Sequence, residues 1–440
     1  YTLSGGALAV GSVVNGGGDG ILALDGGTLQ TTGAVAADQL RIGVNAAASH
    51  TLSAGAWTVG TLTFGVAAGG AGALTLASGG SLEVAGDIAT GAGSGALTLN
   101  GGALALGGNL AVSDLTVGSG TTAGHTQSSK RYNVGGNATV GAGAGGAGTY
   151  RLTGTGELNV GDRLYVGRNG GAGRFEWYRS GGLAATNGIA MGVGSTLAMG
   201  ADFDADALAG QSGGMVSGLS DAILEIANGA KGTQDADTVR AAQLRIGGAD
   251  GGGAYRLTGA GELRISDGGR LLVGSDGASG RFEWYAGAGS LTTPDMTLFS
   301  SGTLAMGANF DAAALANGTL FGGALSGLNV ATLEVTAGAT ATQNEGDIGV
   351  YRVSVGTAEG NGAWHIANGV LNVALLGIGQ GGDGTLRIEG GAINVSRELT
   401  FGRNARLLAA PDSQLRLTGT DVRIMSVNPL NLADLAHLTL

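Results

Sequence analysis

Short strings in which apolar residues alternate with small or polar residues recur along the whole chain, and glycine-containing pairs separate them. Alternation with a period of two places the apolar side chains on one face of a β-strand. Gly-Gly, Asn-Gly and Asp-Gly pairs supply the turns in which φ must be positive. The pattern therefore predicts an all-β chain. Clear examples are residues 73–76, 81–84, 96–99, 157–160 and 385–388.

The glycine content, 92 of 440 residues, does not indicate collagen or a flexible linker. Collagen needs Gly at every third position and abundant Pro, whereas this chain has irregular glycine spacing and 3 prolines. Disordered linkers are poor in apolar residues, and here 43% of the residues are hydrophobic. The composition thus predicts a chain that buries a core.

A longer unit repeats along the chain. It consists of an aliphatic residue followed by Gly, a glycine loop, a strand, a second turn and a second strand. Its length of roughly 25 to 29 residues is the size of one coil of a β-solenoid. With about 25 residues per coil, we predict a parallel β-solenoid of roughly 17 coils. Four clear units are residues 64–91, 140–167, 246–274 and 378–402.

The coils are grouped into super-repeats. Tyr-Arg-Leu-Thr-Gly at 150–154 returns at 255–259, and Arg-Phe-Glu-Trp-Tyr at 174–178 returns at 281–285. Because the repeats continue without a linker, we predict a single continuous domain over residues 1–440. It contains about four super-repeats, with the approximate bounds 22–114, 115–223, 224–332 and 333–440.

Charge and composition exclude several partners. The formal net charge is −11 and the only lysines are Lys130 and Lys231, whereas nucleic acids and membrane surfaces are bound through clustered basic residues. The chain has no Cys, which excludes disulfides and thiolate metal sites and suits passage through a bacterial periplasm. The apolar stretches are far shorter than a membrane helix. We therefore predict no nucleic-acid binding and no membrane insertion of this segment.

Two motifs resemble calcium sites, but each lacks a required residue. Gly-Gly-Asp-Gly at 17–20 and at 381–384 is similar to the β-roll repeat, in which the sixth position is Asp. That position holds Leu22 in one and Leu386 in the other. We interpret these glycines as tight turns.

The second motif is Asp-Phe-Asp-Ala-Asp at 202–206, which is similar to the start of an EF-hand loop. An EF-hand loop requires glycine at position six and glutamate at position twelve, but here these positions hold Ala207 and Gly213. We predict a solvated loop in which Phe203 and its equivalent Phe310 fold inward.

Arg-Phe-Glu-Trp-Tyr is the most distinctive string. Alternation places Phe175 and Trp177 on one face of the strand, with the charged residues and tyrosine on the other. We favour aromatic residues in the core and an outward stripe of Arg, Glu and Tyr; in the reverse orientation the aromatics would form an exposed stripe for a sugar or a partner. The candidate partner-binding residues are Arg174, Glu176, Tyr178, Arg281, Glu283 and Tyr285.

The sequence offers no catalytic constellation. The four histidines are widely separated, and no His or Cys stands at metal-ligand spacing from them. Glu176 and Glu283 are a super-repeat apart, so they do not predict a pair of glycosidase carboxylates. No nucleophile elbow or phosphate-binding loop occurs. We predict that the chain is not an enzyme and has no metal or cofactor.

The glycine-led strings resemble the autotransporter-associated β-strand repeats. They are Gly-Gly-Ser-Leu-Glu-Val (79–84), Gly-Gly-Ala-Leu-Ala-Leu (101–106) and Gly-Thr-Leu-Arg-Ile-Glu-Gly-Gly (384–391). Such repeats occur in passenger domains of type V secreted proteins and in other large bacterial surface proteins. The resemblance implies a right-handed parallel β-helix that is exported to the cell surface and serves adhesion, aggregation or biofilm matrix. The sequence departs from a whole autotransporter because it shows neither a signal peptide nor the strands of a translocator barrel.

Our leading hypothesis is an extracellular structural β-solenoid, a surface fibre or adhesin stalk. Both termini lie inside the repeat pattern, so we expect a processed or truncated piece of a longer chain, or end-to-end stacking with further copies of itself. The main alternative is a glycan- or cell-binding passenger. A third possibility is an enzyme, because polysaccharide lyases and hydrolases also use β-helices, but the presence of only two lysines disfavours a lyase. An outer-membrane barrel is disfavoured by the 5% aromatic content and by the glycine-centred coil repeats.

Overall fold

The computed structural model describes residues 1–15, 19–178, 182–185, 187–209, 215–285, 290–317, 320–321, 324–411 and 413–427. Strands make up 61% of the structure and helices 3%, and the strands form a parallel β-solenoid of about 17 turns. The predicted fold class and number of coils are therefore confirmed. The right-handed sense stays a prediction.

The chain divides into two compact units. The first comprises Tyr1–Ala198 and Met215–Ala222, and the second comprises Met199–Gly214 and Ile223–Leu440. The predicted single domain with four super-repeats stays a prediction. Its last residues, 428–440, lie outside the described residues, as do Gly17 and Gly18 of the first calcium-like motif and Gly213.

The strands are short and follow one another closely. The first fifteen are β1 (Thr2–Leu3), β2 (Ala7–Val10), β3 (Val13–Val14), β4 (Ile21–Leu24), β5 (Thr28–Thr31), β6 (Val35–Ile42), β7 (Ala47–Leu52), β8 (Gly55–Phe64), β9 (Ala71–Ala77), β10 (Gly80–Val84), β11 (Ile88–Thr90), β12 (Ser94–Asn100), β13 (Ala103–Leu106), β14 (Leu110–Val112) and β15 (Asp114–Ser119). The next sixteen are β16 (Thr122–Gln127), β17 (Arg131–Val134), β18 (Ala138–Ala142), β19 (Ala147–Leu152), β20 (Glu157–Val160), β21 (Leu164–Arg168), β22 (Ala172–Trp177), β23 (Leu183–Ala185), β24 (Ile189–Met191), β25 (Thr196–Met199), β26 (Phe203–Asp204), β27 (Val216–Ser217), β28 (Ile223–Ile226), β29 (Lys231–Gln234), β30 (Thr238–Ile246) and β31 (Gly253–Thr258).

The remaining strands are β32 (Glu262–Val273), β33 (Gly280–Tyr285), β34 (Ser290–Thr292), β35 (Asp295–Leu298), β36 (Gly302–Met306), β37 (Phe310–Asp311), β38 (Ala324–Ser326), β39 (Thr332–Val335), β40 (Ala339–Gln343), β41 (Asp347–Val355), β42 (Gly362–Ile366), β43 (Val370–Ile378), β44 (Gly384–Ile388), β45 (Ala392–Phe401), β46 (Ala405–Ala409), β47 (Gln414–Leu417) and β48 (Arg423–Ser426). The helices are α1 (Asp206–Ala209) and α2 (Ala312–Ala316), with 3-10 turns at Leu219–Asp221 and Ser275–Gly277.

Each unit is built from parallel sheets in which a strand pairs with the corresponding strand one coil later. In the first unit, two of the sheets have the orders β1-β4-β6-β8-β11-β14-β17-β20-β23 and β27-β24-β21-β18-β15-β12-β9-β7. In the second unit, two of the sheets have the orders β26-β29-β31-β33-β36-β39-β41-β43-β45-β47 and β37-β40-β42-β44-β46. Residues that are one coil apart therefore lie side by side.

The core consists of columns of aliphatic residues, as the alternating pattern predicts. Leu74 of β9 pairs in register with Leu97 of β12, and Leu76 pairs with Leu99. All four side chains are buried, while the threonines between them face outward. Each such side chain contributes about 1.5–3 kcal/mol when it is buried, so the same column continued through many coils supplies the driving force for the fold.

Glycines at one corner allow neighbouring segments to approach closely. Gly247, which follows Ile246 in an aliphatic-Gly step, has φ of 75°. Gly280 begins the strand of the next coil, and a Cβ placed on it would lie 2.2 Å from the carbonyl oxygen of Ile246. Gly253, Gly280 and Gly302 are in register in three successive coils. The repeated aliphatic-Gly step in the sequence thus marks a corner that larger residues would block.

Aspartate and asparagine side chains join one coil to the next at the turns. The Oδ1 atom of Asp87 accepts a hydrogen bond of 2.7 Å from the backbone N–H of Asn109. Oδ1 of Asn309 accepts one of 2.8 Å from the N–H of Thr340. In these bonds the accepting side chain comes earlier in the chain than the donating backbone. The same arrangement is made by Asp25, Asn100, Asp114, Asp202, Asp206 and Asn361.

Three glutamines in the core hold adjacent turns together; they are Gln127, Gln234 and Gln343, each at most 2% exposed. Nε2 of Gln234 donates to the carbonyl oxygens of Asp237 (2.6 Å) and Glu262 (2.8 Å). Its Oε1 accepts a 2.7 Å hydrogen bond from the hydroxyl of Tyr255 in the next coil. Because the donors and the acceptor of the Gln234 amide all have partners, this side chain fixes both turns at little cost.

Candidate functional site

The first copy of the Arg-Phe-Glu-Trp-Tyr string lies in β22, with Tyr178 directly after the strand, and the second lies in β33. The Phe and Trp residues of both copies face the core, as we favoured. Phe175 and Phe282 are fully buried and Trp177 is 8% exposed, whereas Trp284 is half-buried. Trp284 packs edge-on against Phe321, with 5.5 Å between ring centroids. The Arg, Glu and Tyr side chains therefore point outward and form what we call the charged stripe: Arg174, Glu176 and Tyr178 in its first copy, and Arg281, Glu283 and Tyr285 in its second.

The carboxylate of the second copy is buried beneath three cations. Glu283 is 2% exposed although it lies on the outer face of β33. Its Oε1 accepts a 2.7 Å hydrogen bond from Nε of Arg281, and its Oε2 accepts one from Nε of Arg256 in the preceding coil. Nζ of Lys231, two coils back, lies 3.2 Å from the same Oε2. Cations on three successive strands thus converge on one carboxylate.

Two further carboxylates neutralise these arginines from other coils. Nη1 of Arg281 lies 2.8 Å from Oε2 of Glu334 in β39, and Nη2 of Arg256 lies 3.2 Å from Oε2 of Glu359. Between β33 and β39, the strand β36 places the small residues Thr303 and Ala305 in register with Arg281 and Glu283. These small side chains leave room for Arg281 to reach across a whole coil.

The first copy repeats the central part of this arrangement. Glu176 is 3% exposed and accepts hydrogen bonds from Nε of Arg174, at 2.7 Å, and from Nε of Arg151 in the preceding coil. The guanidinium of Arg151 lies over the ring of Tyr178, 4.9 Å from its centroid. The same relation recurs in the second copy, where Arg256 lies 4.7 Å from the ring centroid of Tyr285.

The electrostatics of the stripe fix its protonation state. Burial acts to raise the pKa of Glu283, but hydrogen bonds from Arg256 and Arg281 outweigh it and lower the pKa below its ordinary value. The hydrogen bond to Glu283 raises the pKa of Arg256, and burial together with Glu283 raises the pKa of Tyr285. Glu283, Arg256 and Arg281 are therefore charged at neutral pH.

The sequence anticipated only part of this cluster. Its candidate residues do come together within each copy, but Arg151, Arg256, Lys231, Glu334 and Glu359 were missed. The repeated Tyr-Arg-Leu-Thr-Gly string held the signal for two of them. It contains Arg151 and Arg256, and each stands one coil before a glutamate of the stripe.

The aspartates of the EF-hand-like segment accept hydrogen bonds from the following coil. Asp206 accepts hydrogen bonds from the backbone N–H groups of Asp235 and Asp237, at 2.8 and 2.9 Å, and Asp202 accepts one of 2.8 Å from that of Lys231. In the part of the chain that the structure describes, no three His, Cys, Asp or Glu side chains converge so that they could hold a metal ion. The carboxylates of Asp202 and Asp206 cap the turn of the following coil.

The predicted loop around these residues needs a correction. Phe203 and Asp204 form the short strand β26 and are followed by α1, so the segment is ordered secondary structure rather than a solvated loop. Phe310 is buried as predicted, but Phe203 is only half-buried. In the equivalent segment, Asp311 caps α2 by accepting a 2.9 Å hydrogen bond from the N–H of Ala313.

Two of the described histidines, His125 and His365, have different surroundings. The Nε2 atom of His125 is 3.1 Å from the hydroxyl of Tyr132, and burial lowers the pKa of this imidazole to about 4. His365 lies on an outer face, where its Nε2 is 2.8 Å from Oε2 of Glu389. His125 is thus a neutral, half-buried imidazole, and His365 contacts Glu389 at the surface.

Comparison with protein families, curated proteins and solved structures gave no match to this chain. Among the described residues, none of the helices has the length and apolar character needed to span a membrane.

Proposed function

We propose that this chain is a non-catalytic structural β-solenoid of the bacterial cell surface, serving as a surface fibre or as the stalk of an adhesin. It would act as part of a longer chain or stacked end to end with further copies. The proposal includes no metal or cofactor, no nucleic-acid partner and no membrane insertion of this segment.

The observation that carries the proposal is that the side chains of the charged stripe are buried or engaged with one another. Its glutamates are buried, its arginines bind those glutamates, and one face of each tyrosine is covered by an arginine. A glycan-binding surface presents open aromatic faces and hydrogen-bonding groups that a ligand can satisfy. Here the arginines and glutamates pair with one another within and between coils, which supports a role in holding the solenoid together.

Two further features support a surface location. The absence of Cys suits a chain that is exported unfolded through an oxidising compartment. The glycine-led strings resemble repeats of secreted bacterial passenger domains. Surface proteolysis and immunolabelling of intact producing cells test this part of the proposal, and protein confined to the cytoplasm would contradict it.

Electron microscopy of the native protein tests the structural role. Filaments, or projections that extend from the cell, support a fibre or stalk. A glycan array and a cell-binding assay test the adhesin alternative, with the double variant R174Q/R281Q compared with the unaltered chain. Binding that is lost in this variant, while far-UV circular dichroism stays unchanged, would favour the binding module over the purely structural role.

A further inference from the structure

The tripeptide Ala-Asn-Gly occurs three times in the second unit, and the structure describes all of its residues at 227–229 and 367–369. In an Asn-Gly pair the backbone nitrogen of glycine can attack the carboxamide carbon of the preceding asparagine, because glycine has no side chain to hinder the approach. Both asparagines, Asn228 and Asn368, are exposed to water. The two sites share their local sequence and exposure, so any difference in reactivity comes from their conformation.

At the later site the reacting groups already face each other. The backbone nitrogen of Gly369 donates a 2.9 Å hydrogen bond to Oδ1 of Asn368. This is the one hydrogen bond that the carboxamide makes within the described residues. The glycine nitrogen is therefore already held beside the carboxamide that it would attack, which shortens the approach that the reaction requires.

At the earlier site both groups are engaged elsewhere. Nδ2 of Asn228 donates a 3.1 Å hydrogen bond to the carbonyl oxygen of Gly200. The N–H of Gly229 donates one of 2.7 Å to the carbonyl oxygen of Gly252. Asn228 itself has a φ of 55°. Attack here requires two hydrogen bonds to break and the turn to rearrange.

We propose that Asn368 is a site of spontaneous deamidation in the folded protein. The Gly369 nitrogen loses its proton to hydroxide and forms a bond to Cγ of Asn368. The Cγ–Nδ2 bond breaks, and Nδ2 takes up a proton and leaves as ammonia. Water then opens the resulting succinimide at either carbonyl, which yields aspartate or isoaspartate. The overall reaction consumes one water and releases one ammonia, without an oxidant or a cofactor.

The modification changes a turn that is held in place by the core. The backbone N–H groups of Ala367 and Asn368 both donate to the carbonyl oxygen of Gln343, at 2.9 and 3.2 Å. Isoaspartate lengthens the backbone by one methylene between β42 and β43, and both products add a negative charge. Gly369 has φ of 96°, and a Cβ on it would lie 2.2 Å from the carbonyl oxygen of Gly346. A resistant variant must therefore alter Asn368.

The experiment is to incubate the folded full chain at mildly alkaline pH and to follow both sites by peptide mapping. Deamidation appears as a mass increase of about 1 Da, and isoaspartate is labelled by a methyltransferase specific for it. We expect the rate at Asn368 to exceed that at Asn228 by a factor on the order of 10–100, the range expected when reacting groups are misplaced. The same chain in denaturant is the control, and there the two rates should converge.

Equal rates at the two sites in the folded protein would overturn the proposal, and so would a faster reaction at Asn228. Protection of both sites in the folded protein, with reaction of both in denaturant, would overturn it as well. The variant N368Q should lose the signal at this site while its circular dichroism stays unchanged, because the longer side chain places its carboxamide carbon out of reach.

Discussion

At the scale of single residues, the stripe shows how an outward-facing charge becomes part of the structure. Glu283 faces away from the core, yet its side chain is 3% exposed because Arg256, Arg281 and Lys231 cover it. A carboxylate that is removed from water is stable only while it is paired and hydrogen-bonded. The cluster therefore stabilises the packing of three neighbouring strands, and its removal should lower the free energy of unfolding.

We expect the Glu283→Gln variant to lower the free energy of unfolding by about 2 kcal/mol. This is less than the loss for a fully buried pair because the cations stay partly in water. Chemical denaturation measures the difference. The control is Glu359→Gln, whose side chain is 47% exposed and whose loss should cost about 0.5 kcal/mol or less. Equal effects of the two variants would contradict a structural role for the buried carboxylate.

The same residue should make stability depend on acidity. Since its folded pKa lies below the ordinary value of 4.5, Glu283 stabilises the fold fully above pH 4.5. That contribution is lost as the pH falls from there through the lowered folded pKa. Denaturation curves at a series of pH values should show the free energy of unfolding decreasing in this range, with a shallower decrease in Glu283→Gln. Parallel slopes for the two proteins would refute the assignment.

At the scale of strands and turns, two local devices repeat: a glycine that allows close approach and a glutamine that joins turns. Gly384 begins β44, where a Cβ would lie 2.3 Å from the carbonyl oxygen of Val355. Gly349 lies within β41, and a Cβ there would meet nothing within 4 Å. Two glycines in strands of the same unit thus have opposite tolerance for a side chain.

We expect Gly384→Ala to destabilise the fold by about 2–3 kcal/mol, because the added methyl group forces the strands apart. Gly349→Ala should be neutral or stabilise by about 0.5 kcal/mol, since it reduces the freedom of the unfolded chain. Thermal unfolding of both variants provides the comparison. If Gly384→Ala left the thermal unfolding unchanged, the strands at this corner would be able to move apart without loss of stability.

Tyr255→Phe tests the glutamine device. Removing the hydroxyl leaves Oε1 of the buried Gln234 without its 2.7 Å donor, so we expect a loss of about 1–2 kcal/mol. The control is Tyr351→Phe, on a half-buried tyrosine of the same unit, which should change the free energy of unfolding little. Denaturant titration of both variants measures the change in the free energy of unfolding. Equal losses in the two variants would argue against a stabilising Tyr255–Gln234 hydrogen bond.

The sequence predicted these elements where the information is local. The period-two strings and the aliphatic-Gly steps are read within a few residues, and they predicted the strands and the glycine corners. The burial of Glu176 and Glu283 could not be predicted in this way, because their partners stand on neighbouring coils and are placed by strand register. The short helix α2 had a local signal that was overlooked, since Asp311 is a favourable N-cap before a run of alanines.

At the scale of the whole molecule, the repeats make parts of the chain interchangeable. Ile246-Gly247 and Val355-Gly356 occupy equivalent corners, and the loops that follow them reach Gly253 and Gly362 after the same number of residues. In each case the preceding strand pairs in parallel with the strands before and after it. Repeat proteins of this kind depend mainly on contacts between neighbouring repeats.

Deletion of residues 247–355 should therefore leave a chain that folds, because it joins Ile246 to Gly356 in the same position of a coil. We expect cooperative unfolding and an unchanged β-type circular dichroism spectrum per residue. Deletion of residues 247–341 is the control, since it joins Ile246 to the middle of β40 and disturbs the register. If both deletion variants folded equally well, folding would not depend on keeping whole coils in register.

The side chains that cap the turns also give the chain a sense of direction. Asp87, Asp114 and Asn309 each accept a hydrogen bond from a backbone N–H that is synthesised later, while Gly20, which donates to Asp38, is an exception. At these turns a finished coil thus presents side-chain acceptors to the segment that emerges next. We expect assembly to advance from the amino-terminal side, in the order in which a ribosome delivers the chain, with each coil acting as the template for its successor.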